Sequence, residues 1–276
     1  MALNTNPTPP TKKEEDQTIA STSFGKRILF PLNIITFLLS FPVIFCVVWL
    51  LYMRQCTCEN ILPLPKLQVG VVVVLIILFI VSNVVVFLKS RFLMLGFIIV
   101  MVPLIVILTI GSALVGTYNI ETQTIPGSPA WLKSKVYNDS NWKAIESCIY
   151  STRTCQDLAL QSSSVTRTYD FSRSHLSPTE SGCCIPPSIC DMRYVNATFW
   201  EKKFEFYDDP YDTDCDMWQN KVTKLCYGCS TCRKGFIKTL RHKWYKLGVF
   251  LVTISILLIV CHLLLFVAMM WDRHAS

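Results

Sequence analysis

The chain has 276 residues, a hydrophobic content of 51% and a formal net charge of +7. Its mean hydropathy of +0.40 argues against a soluble protein, although a chain of this length would normally form one or two soluble domains. The apolar residues are also concentrated in four runs that polar segments separate. We therefore expect an integral membrane protein.

Each of the four apolar runs is roughly 20 to 25 residues long, which suffices for a tilted helix to cross the hydrocarbon layer. Unpaired backbone amides are costly in lipid, so the runs should be α-helices, with Pro31, Pro42 and Pro103 as local kinks rather than breaks. The predicted spans are residues 28–52, 69–88, 92–116 and 247–271. They leave both termini, residues 1–27 and 272–276, on one side of the membrane.

Charge and modification signals favour cytoplasmic termini. Basic residues precede the first span and flank the short turn 89–91, as the positive-inside tendency requires, although six basic residues crowd the other side of the fourth span. The long segment 117–246 holds both N-glycosylation sequons, at Asn138 and Asn196, and nine of the thirteen cysteines. We therefore expect this segment to be extracellular or lumenal. We expect the protein to reside in the plasma membrane.

The N-terminal part and the second and third spans carry simpler signals. Residues up to about Ser23 have too few apolar side chains to bury a core, so we expect a disordered tail. The loop 53–68 contains Cys56 and Cys58 and is too small to fold alone. Small residues in the spans, among them Gly111, favour close packing of helices.

His262 is the only charged or readily ionised side chain within the spans. Intramembrane ionisable residues are functional candidates by default, but a neutral histidine that faces other helices and makes one hydrogen bond is the commoner outcome. Together with Asn33, Ser82 and Asn83, this residue could instead serve a small transporter or channel subunit.

The long segment falls into three stretches. From residue 128 to 160, apolar residues recur at spacings near three and four, which predicts amphipathic helices and places Cys148 and Cys155 on one face. Residues 161–214 are rich in Ser, Thr, Pro and Asp, which predicts irregular structure stapled by disulfides. Beyond them, a helical pattern leads into the fourth span, and its basic residues should form a solvated face or one that meets lipid phosphates.

The sequence Gly182-Cys183-Cys184-Ile185-Pro186-Pro187 lies in the middle of the long segment. Adjacent half-cystines cannot easily bond to each other, so each needs a more distant partner. Gly182 allows an unusual backbone angle, and the two prolines fix φ and prevent a helix from continuing. We expect a stiff corner from which two crosslinks diverge.

Eight cysteines of the long segment are expected to form disulfides, with their connectivity open: Cys148, Cys155, Cys183, Cys184, Cys190, Cys215, Cys226 and Cys229. Nine cannot all pair within it, so one is free, joined to another molecule, or bonded to Cys56 or Cys58. We choose Cys232 because it is nearest the membrane along the chain and lies beside two basic residues that favour thiol reactivity. The main alternative is a bond from Cys232 to Cys229 or to another loop cysteine.

The x2 spacing of Cys226, Cys229 and Cys232 is also a common zinc or cluster pattern. No histidine or fourth cysteine lies nearby in the sequence and the compartment is oxidising, so we expect neither a metal nor a cofactor. A thiol oxidoreductase that uses Cys229 and Cys232 is a third functional class, but no thioredoxin-like strands are evident. No nucleophile–base pair, nucleotide loop or carboxylate pair stands out, so no catalytic residues are predicted.

The chain resembles the tetraspanins over nearly its whole length. The shared features are four spans, a small first outer loop, a minimal inner turn and a large cysteine-rich second outer loop. Three motifs resemble the plant-type members more specifically: Gly182-Cys183-Cys184-x-Pro186-Pro187, Asp214-Cys215-x-x-Trp218 and Leu225-Cys226-Tyr227-x-Cys229-x-x-Cys232. The chain departs from the family in having Ile185 where a basic residue is frequent. It also has no cysteine at the cytoplasmic edge of the membrane for palmitoylation, since Cys46 and Cys261 lie deeper.

The resemblance implies an all-α membrane protein, in which a four-transmembrane-helix bundle carries a disulfide-stapled, mainly helical large extracellular loop. It also implies a non-enzymatic scaffold that organises membrane microdomains, in cell differentiation or cell–cell signalling. The implied partners are other integral membrane proteins, including tetraspanins, in homo- or hetero-oligomers, together with membrane lipids and without nucleic acid.

Overall fold

The computed structural model describes residues 12–56, 58–62, 65–87, 93–118, 128–162, 176–202 and 213–275. The helices are α1 (Lys12–Cys56), α2 (Pro65–Phe87), α3 (Leu93–Thr117), α4 (Pro129–Val136), α5 (Asp139–Ser151), α6 (Thr154–Ser162), α7 (Pro178–Cys183), α8 (Thr213–Met217) and α9 (Ser230–Ala275). Strands β1 (Met192–Asn196) and β2 (Phe199–Lys202) form an antiparallel hairpin. Single 3-10 turns occupy Cys58–Ile61 and Ser188–Cys190.

Helices α1, α2, α3 and α9 are long and apolar enough to cross a membrane, which confirms the predicted four-helix class. The stretches that meet this criterion are Leu29–Tyr52, Leu67–Val84, Leu95–Thr117 and Ser230–Trp271. Pro31, Pro42 and Pro103 lie inside continuous helices, so none of them ends a span.

Helix α1 begins earlier than the sequence led us to expect. It starts at Lys12, so the prediction of a disordered tail up to Ser23 is wrong from Lys12 onward. The reason is local, because the lysines, glutamates, glutamine and alanine of this stretch are good helix formers. Residues 1–11 of the predicted tail lie outside the described residues.

The chain divides into two compact units, and the first comprises Met1–Trp49, Val71–Thr109 and Leu251–Ser276. Leu75, Leu78 and Leu104 are fully buried in it, whereas 72% of Phe45 is exposed. In a soluble domain such large apolar exposure would mark a binding surface, but on helices of membrane length it is the surface that lipid covers. The rings of Phe97 and Phe266, 4.6 Å apart, join α3 to α9.

The second unit comprises Leu50–Gly70 and Ile110–Phe250. Ser128 caps α4 by accepting from the Trp131 amide, and Asn138 caps α5 by accepting from two amides of the first turn. The faces of these helices bury Leu132, Val136, Trp142 and Ile145. The predicted amphipathic helices between residues 128 and 160 are therefore confirmed as three short ones.

One expectation about these helices is wrong. Cys148 and Cys155 do not share a face, because α5 ends at Ser151 and α6 begins at Thr154. Arg153, between them, has a φ of 55°, a left-handed conformation that an α-helix cannot include. The two cysteines thus leave in different directions.

Residues 176–202 are more regular than the predicted irregular structure. After α7 and a 3-10 turn, the hairpin pairs Tyr194 with Trp200, whose rings meet edge to face at 5.2 Å. The side chain of Asn220 accepts from the Trp200 amide and donates to the Trp200 carbonyl, so it pairs with β2 as another strand residue would. The rest of the predicted irregular stretch, residues 163–175 and 203–212, lies outside the described residues.

The predicted role of Gly182 needs correction. Its φ lies outside the left-handed region, but a Cβ at this position would overlap the Thr231 carbonyl of α9. Reciprocally, a Cβ on Gly235 of α9 would overlap the Pro178 carbonyl of α7. The two glycines are required because the helix backbones touch, and not because either glycine adopts an unusual backbone angle.

Gly248 makes a similar approach where α9 passes α3. A Cβ added to Gly248 would lie 3.0 Å from the Gly111 carbonyl and 2.9 Å from Leu114 Cβ. This confirms, at one position, the prediction that small residues such as Gly111 permit close packing of the helices.

Gly182→Ala and Gly235→Ala should each destabilise the protein, because the added methyl group would overlap a carbonyl of the facing helix. Overpacking costs typically 1 to 3 kcal/mol, so we expect the free energy of unfolding to fall by about 3 kcal/mol in each variant. Thermal unfolding in detergent, followed by tryptophan fluorescence, measures it. Gly228→Ala is the matched control, since the nearest atom to its added Cβ is Met217 Sδ at 4.0 Å. Wild-type stability in both variants would contradict the backbone contact.

Candidate functional site

Five disulfides crosslink the second unit. They join Cys58 to Cys148, Cys155 to Cys184, Cys183 to Cys232, Cys190 to Cys215 and Cys226 to Cys229. All eight cysteines that we expected in disulfides have a partner here. The adjacent pair diverges as expected, because Cys183 is bonded to α9 and Cys184 is bonded to α6.

The prediction that Cys232 is the odd thiol is wrong. It is fully buried and bonded to Cys183, because the glycine contact between α7 and α9 brings the two residues together. The tenth half-cystine is Cys58, from the segment between α1 and α2, and it is bonded to Cys148. Two cysteines are free among the described residues, Cys46 and Cys261, and both lie in spans.

The structure also bears on the alternatives for the x2-spaced cysteines. Cys229 and Cys232 belong to different disulfides and are fully buried, so they do not form the redox pair that a thiol oxidoreductase would use. Among the described residues, no group of three or more His, Cys, Asp and Glu side chains is arranged to hold a metal ion.

Asp214 fixes the start of α9. Its carboxylate accepts hydrogen bonds from the Ser230 amide at 2.8 Å, the Ser230 hydroxyl at 2.8 Å and the Thr231 amide at 2.9 Å. Burial alone would raise the pKa of Asp214, but these hydrogen bonds outweigh it and hold the pKa below its ordinary value. A negative charge therefore sits at the N-terminus of α9, where the free amides of the helix favour it.

Two arginines of α9 are packed rather than solvated, so for these two residues the expected solvated or lipid-facing basic face is wrong. Arg233 pairs with Asp139 at 3.2 Å and lies over the rings of Tyr137 and Trp142. Arg241 donates to the Tyr118 carbonyl at 2.7 Å and lies over the same residue's ring. Their planar guanidinium groups suit such stacking, which the spacing of charges along the helix does not reveal.

Large apolar side chains are exposed around the hairpin. The exposed fractions are 65% for Ile189, 47% for Val195, 42% for Phe199 and 42% for Met217. Ile189 is next to Cys190, and Met217 lies two residues beyond Cys215, so the Cys190–Cys215 disulfide ties their backbones together. We call these four residues the hairpin patch.

The polar side chains of the spans bond mainly to backbone carbonyls of their own helices, and two side-chain pairs connect different helices. The His262 ring nitrogen and the Ser82 hydroxyl are 2.9 Å apart, which is the single hydrogen bond expected of a buried histidine. Ser40 donates to the Asn83 side chain at 3.4 Å, and Asn83 donates to the Phe79 carbonyl. Hydrogen bonds of this kind hold membrane helices together, and no feature of the described residues favours the transporter alternative.

Four membrane-length helices, with a disulfide that joins the segment between α1 and α2 to the long segment between α3 and α9, define a four-span, multi-pass membrane protein. The sequence model of the Tetraspanin family matches residues 26–269, and the chain belongs to this family. The family consists of membrane scaffold proteins that are generally not enzymes and that associate with other membrane proteins.

Plant members of the family are similar to the chain over most of its length. It is 38% identical to Tetraspanin-15 of Arabidopsis thaliana over 88% of this chain and 80% of that protein. It is 31% identical to Protein TORNADO 2 of the same organism, over 87% and 91%, and 28% identical to Tetraspanin-2, over 83% and 86%. No solved structure shows a significant match.

Asp214→Asn should weaken the start of α9, because an amide cannot reproduce the charged acceptor of three hydrogen bonds. Losing a helix cap of this kind costs about 1 to 2 kcal/mol at pH 7. Since the folded-state pKa of Asp214 is depressed, its contribution is present at neutral pH and is lost as the pH falls below about 4. The variant's thermal midpoint should therefore lie below that of the wild type at pH 7 and approach it at low pH.

Asp216→Asn is the control for Asp214→Asn, because it neutralises the next acidic residue of α8, which no described hydrogen bond ties to α9. A constant difference in midpoint between Asp214→Asn and the wild type from pH 7 to pH 3 would contradict the assignment of the cap.

Proposed function

We propose that this tetraspanin is a non-enzymatic scaffold that associates laterally with other integral membrane proteins and recognises some of them through the hairpin patch. The observation that carries this proposal is the exposure of Ile189, Val195, Phe199 and Met217 on a disulfide-bonded frame. Large exposed apolar side chains that form a patch commonly mark sites of protein association, and the Cys190–Cys215 disulfide ties the backbones beside Ile189 and Met217 together.

The disulfides support this role for the patch in a second way. Binding is weakened by the entropy of ordering loops and side chains, and a surface that is rigid before binding avoids much of that loss. Asn220, the Cys190–Cys215 disulfide and the Tyr194–Trp200 ring contact all restrain the hairpin or its flanks. A small exposed surface can then give specific recognition.

We further propose that the scaffold acts in the plasma membrane, with both termini in the cytoplasm, and organises microdomains with other tetraspanins. Cell differentiation or cell–cell signalling is the process that the similarity to plant tetraspanins supports. The exposed apolar side chains of the spans, such as Phe45, provide surface for lipid and for neighbouring helices.

The quadruple variant Ile189→Ser, Val195→Ser, Phe199→Ser and Met217→Ser tests the patch. Apolar residues that anchor an interface typically contribute more than about 1 kcal/mol each, so recovery of patch-dependent partners should fall more than tenfold. The measurement is affinity purification in mild detergent from cells that express tagged variants, with quantification by mass spectrometry. The control variant, Lys221→Ser with Lys224→Ser, changes exposed polar residues of the same unit. Unchanged recovery of every membrane protein by the quadruple variant would contradict the proposal.

Both sequons should carry glycans if the long loop faces the lumen. Asn138 and Asn196 are exposed, and each side-chain oxygen accepts from a nearby backbone amide while no described bond uses the side-chain nitrogen that a glycan would occupy. Asn138→Gln and Asn196→Gln should each remove one glycosidase-sensitive shift in apparent mass, and the double variant should remove both. A chain without glycans whose C-terminal tag binds antibody on intact cells would reverse the proposed orientation.

A further inference from the structure

Helix α9 carries a line of basic side chains on its outer surface. Lys234, Lys238, His242 and Lys246 are spaced four residues apart, and all four are exposed. One such step advances about 6 Å along the helix axis and turns about 40° around it, so neighbouring side chains are near each other and the line winds through about 120° of the helix surface. We call the three lysines, together with the His242 position between them, the cationic ridge.

The ridge lysines have no counter-ion among the described residues. Residues 230–246 contain six lysines and arginines and no Asp or Glu. Arg233 and Arg241 are engaged with Asp139 and Tyr118, whereas no described carboxylate pairs with Lys234, Lys238 or Lys246. Lys234 and Lys238 are like charges at a spacing that slightly destabilises a helix. Packing therefore accounts for the arginines and leaves the ridge lysines unexplained.

Lipid phosphates can reach only one end of the ridge. Lys246 immediately precedes the apolar run that begins at Leu247. Headgroups extend roughly 5 to 8 Å beyond the hydrocarbon layer, but Lys234 is twelve residues, or about 18 Å, further along the axis. Even at a tilt of about 40°, the upper limit for membrane helices, Lys234 would stand about 14 Å away from the hydrocarbon. A ligand that contacts the upper ridge would thus have to extend away from the membrane.

We propose that the cationic ridge binds an extended acidic segment of a neighbouring integral membrane protein, immediately outside that protein's own transmembrane helix. Alternate side chains of an extended chain are about 6.6 to 6.8 Å apart, and successive ridge positions are about 7 Å apart at the helix surface. Carboxylates at every second residue of the segment would therefore match the ridge. The two chains leave the same bilayer side by side, with the ridge beginning at its boundary.

This inference rests on the proposed lateral association, and it specifies the chemistry of the partner. An exposed lysine–carboxylate pair is weak by itself, since it changes affinity by less than about fivefold. Confinement of both proteins to one membrane raises their effective concentration, so that a few weak pairs suffice to select among neighbours. The ridge therefore acts as a selectivity element and not as the main source of affinity.

Reconstitution of the full chain in phosphatidylcholine vesicles tests the ridge. The probe is a single-span peptide whose outer stalk has glutamate at every second residue, with energy transfer between labels as the measurement. The triple variant Lys234→Gln, Lys238→Gln and Lys246→Gln should bind it about tenfold more weakly than the wild type, from three pairs of the strength above. The control variant Lys143→Gln, Lys221→Gln and Lys224→Gln removes the same charge from other exposed lysines and should bind normally.

Further arms separate the competing explanations. A second stalk has the same composition, but its glutamates are grouped far from the membrane, and it should bind the wild type more weakly. Raised salt should weaken binding of the stalk with alternating glutamates. Three results would overturn the proposal. Both stalks could bind equally well, the ridge and control variants could bind equally well, or binding could require added phosphatidylglycerol. Preferential binding of the ridge to soluble polygalacturonate would overturn it as well.

Self-association of the chain in the same vesicles keeps this inference separate from the proposed function. If a glutamine stalk binds as well as the glutamate stalk while the chain still self-associates, lateral association stands and the ridge proposal fails. If neither self-association nor probe binding occurs, the scaffold proposal itself fails. The triple Lys→Gln variant should have the same thermal midpoint as the wild type, so that loss of binding does not reflect unfolding. A triple Lys→Arg variant, which keeps the charge, should restore probe binding.

Discussion

The contact between the backbones of α7 and α9 is the constraint on which the large loop depends. Gly182 and Gly235 let Thr231 and Pro178 approach more closely than any Cβ would allow, and the Cys183–Cys232 disulfide locks the two helices at that separation. Thr179 and Thr239 add a hydrogen bond of 2.8 Å along the same contact. The position of the adjacent cysteine pair is therefore set by a helix contact, and the disulfide fixes a contact that the glycines make possible.

The remaining crosslinks extend that fixed point through the second unit. Cys184 is bonded to Cys155 of α6, and Cys148 of α5 is bonded to Cys58, which ties the segment between α1 and α2 to the large loop. In the chain-entropy model, closing the 90-residue separation of Cys58 and Cys148 contributes about 4 to 5 kcal/mol, against about 2 kcal/mol for the three-residue separation of Cys226 and Cys229. The bond between the two segments thus restrains the unfolded chain most.

Features that follow from local pattern were predictable, and features that require two distant segments to meet were not. Span length, the short helices after residue 128 and the half-cystines could be inferred from sequence because they depend on hydropathy, period and compartment. The partner of Cys232 could not be predicted, because the spacing of cysteines along the chain does not show which distant backbone segment lies against Cys232. The hairpin was missed since the pairing of Tyr194 with Trp200 is interrupted by polar residues that predict loops. Gly182 was noticed for its possible backbone freedom, whereas its actual requirement depends on a residue 49 positions away.

Basic residues on α9 separate by chemistry into two groups with different roles. The arginines lie over aromatic rings and bond to Tyr118 and Asp139, where a planar, weakly hydrated cation fits. The lysines at 234, 238 and 246 keep a compact, strongly hydrated charge in solvent, where it remains available to another molecule. One helix can both hold the loop together and present charge because the two functions use different side chains. Substituting arginine for the ridge lysines should therefore preserve recognition, whereas substituting lysine for Arg233 or Arg241 would remove the planar guanidinium that lies over the rings of Tyr137 and Trp142 or of Tyr118.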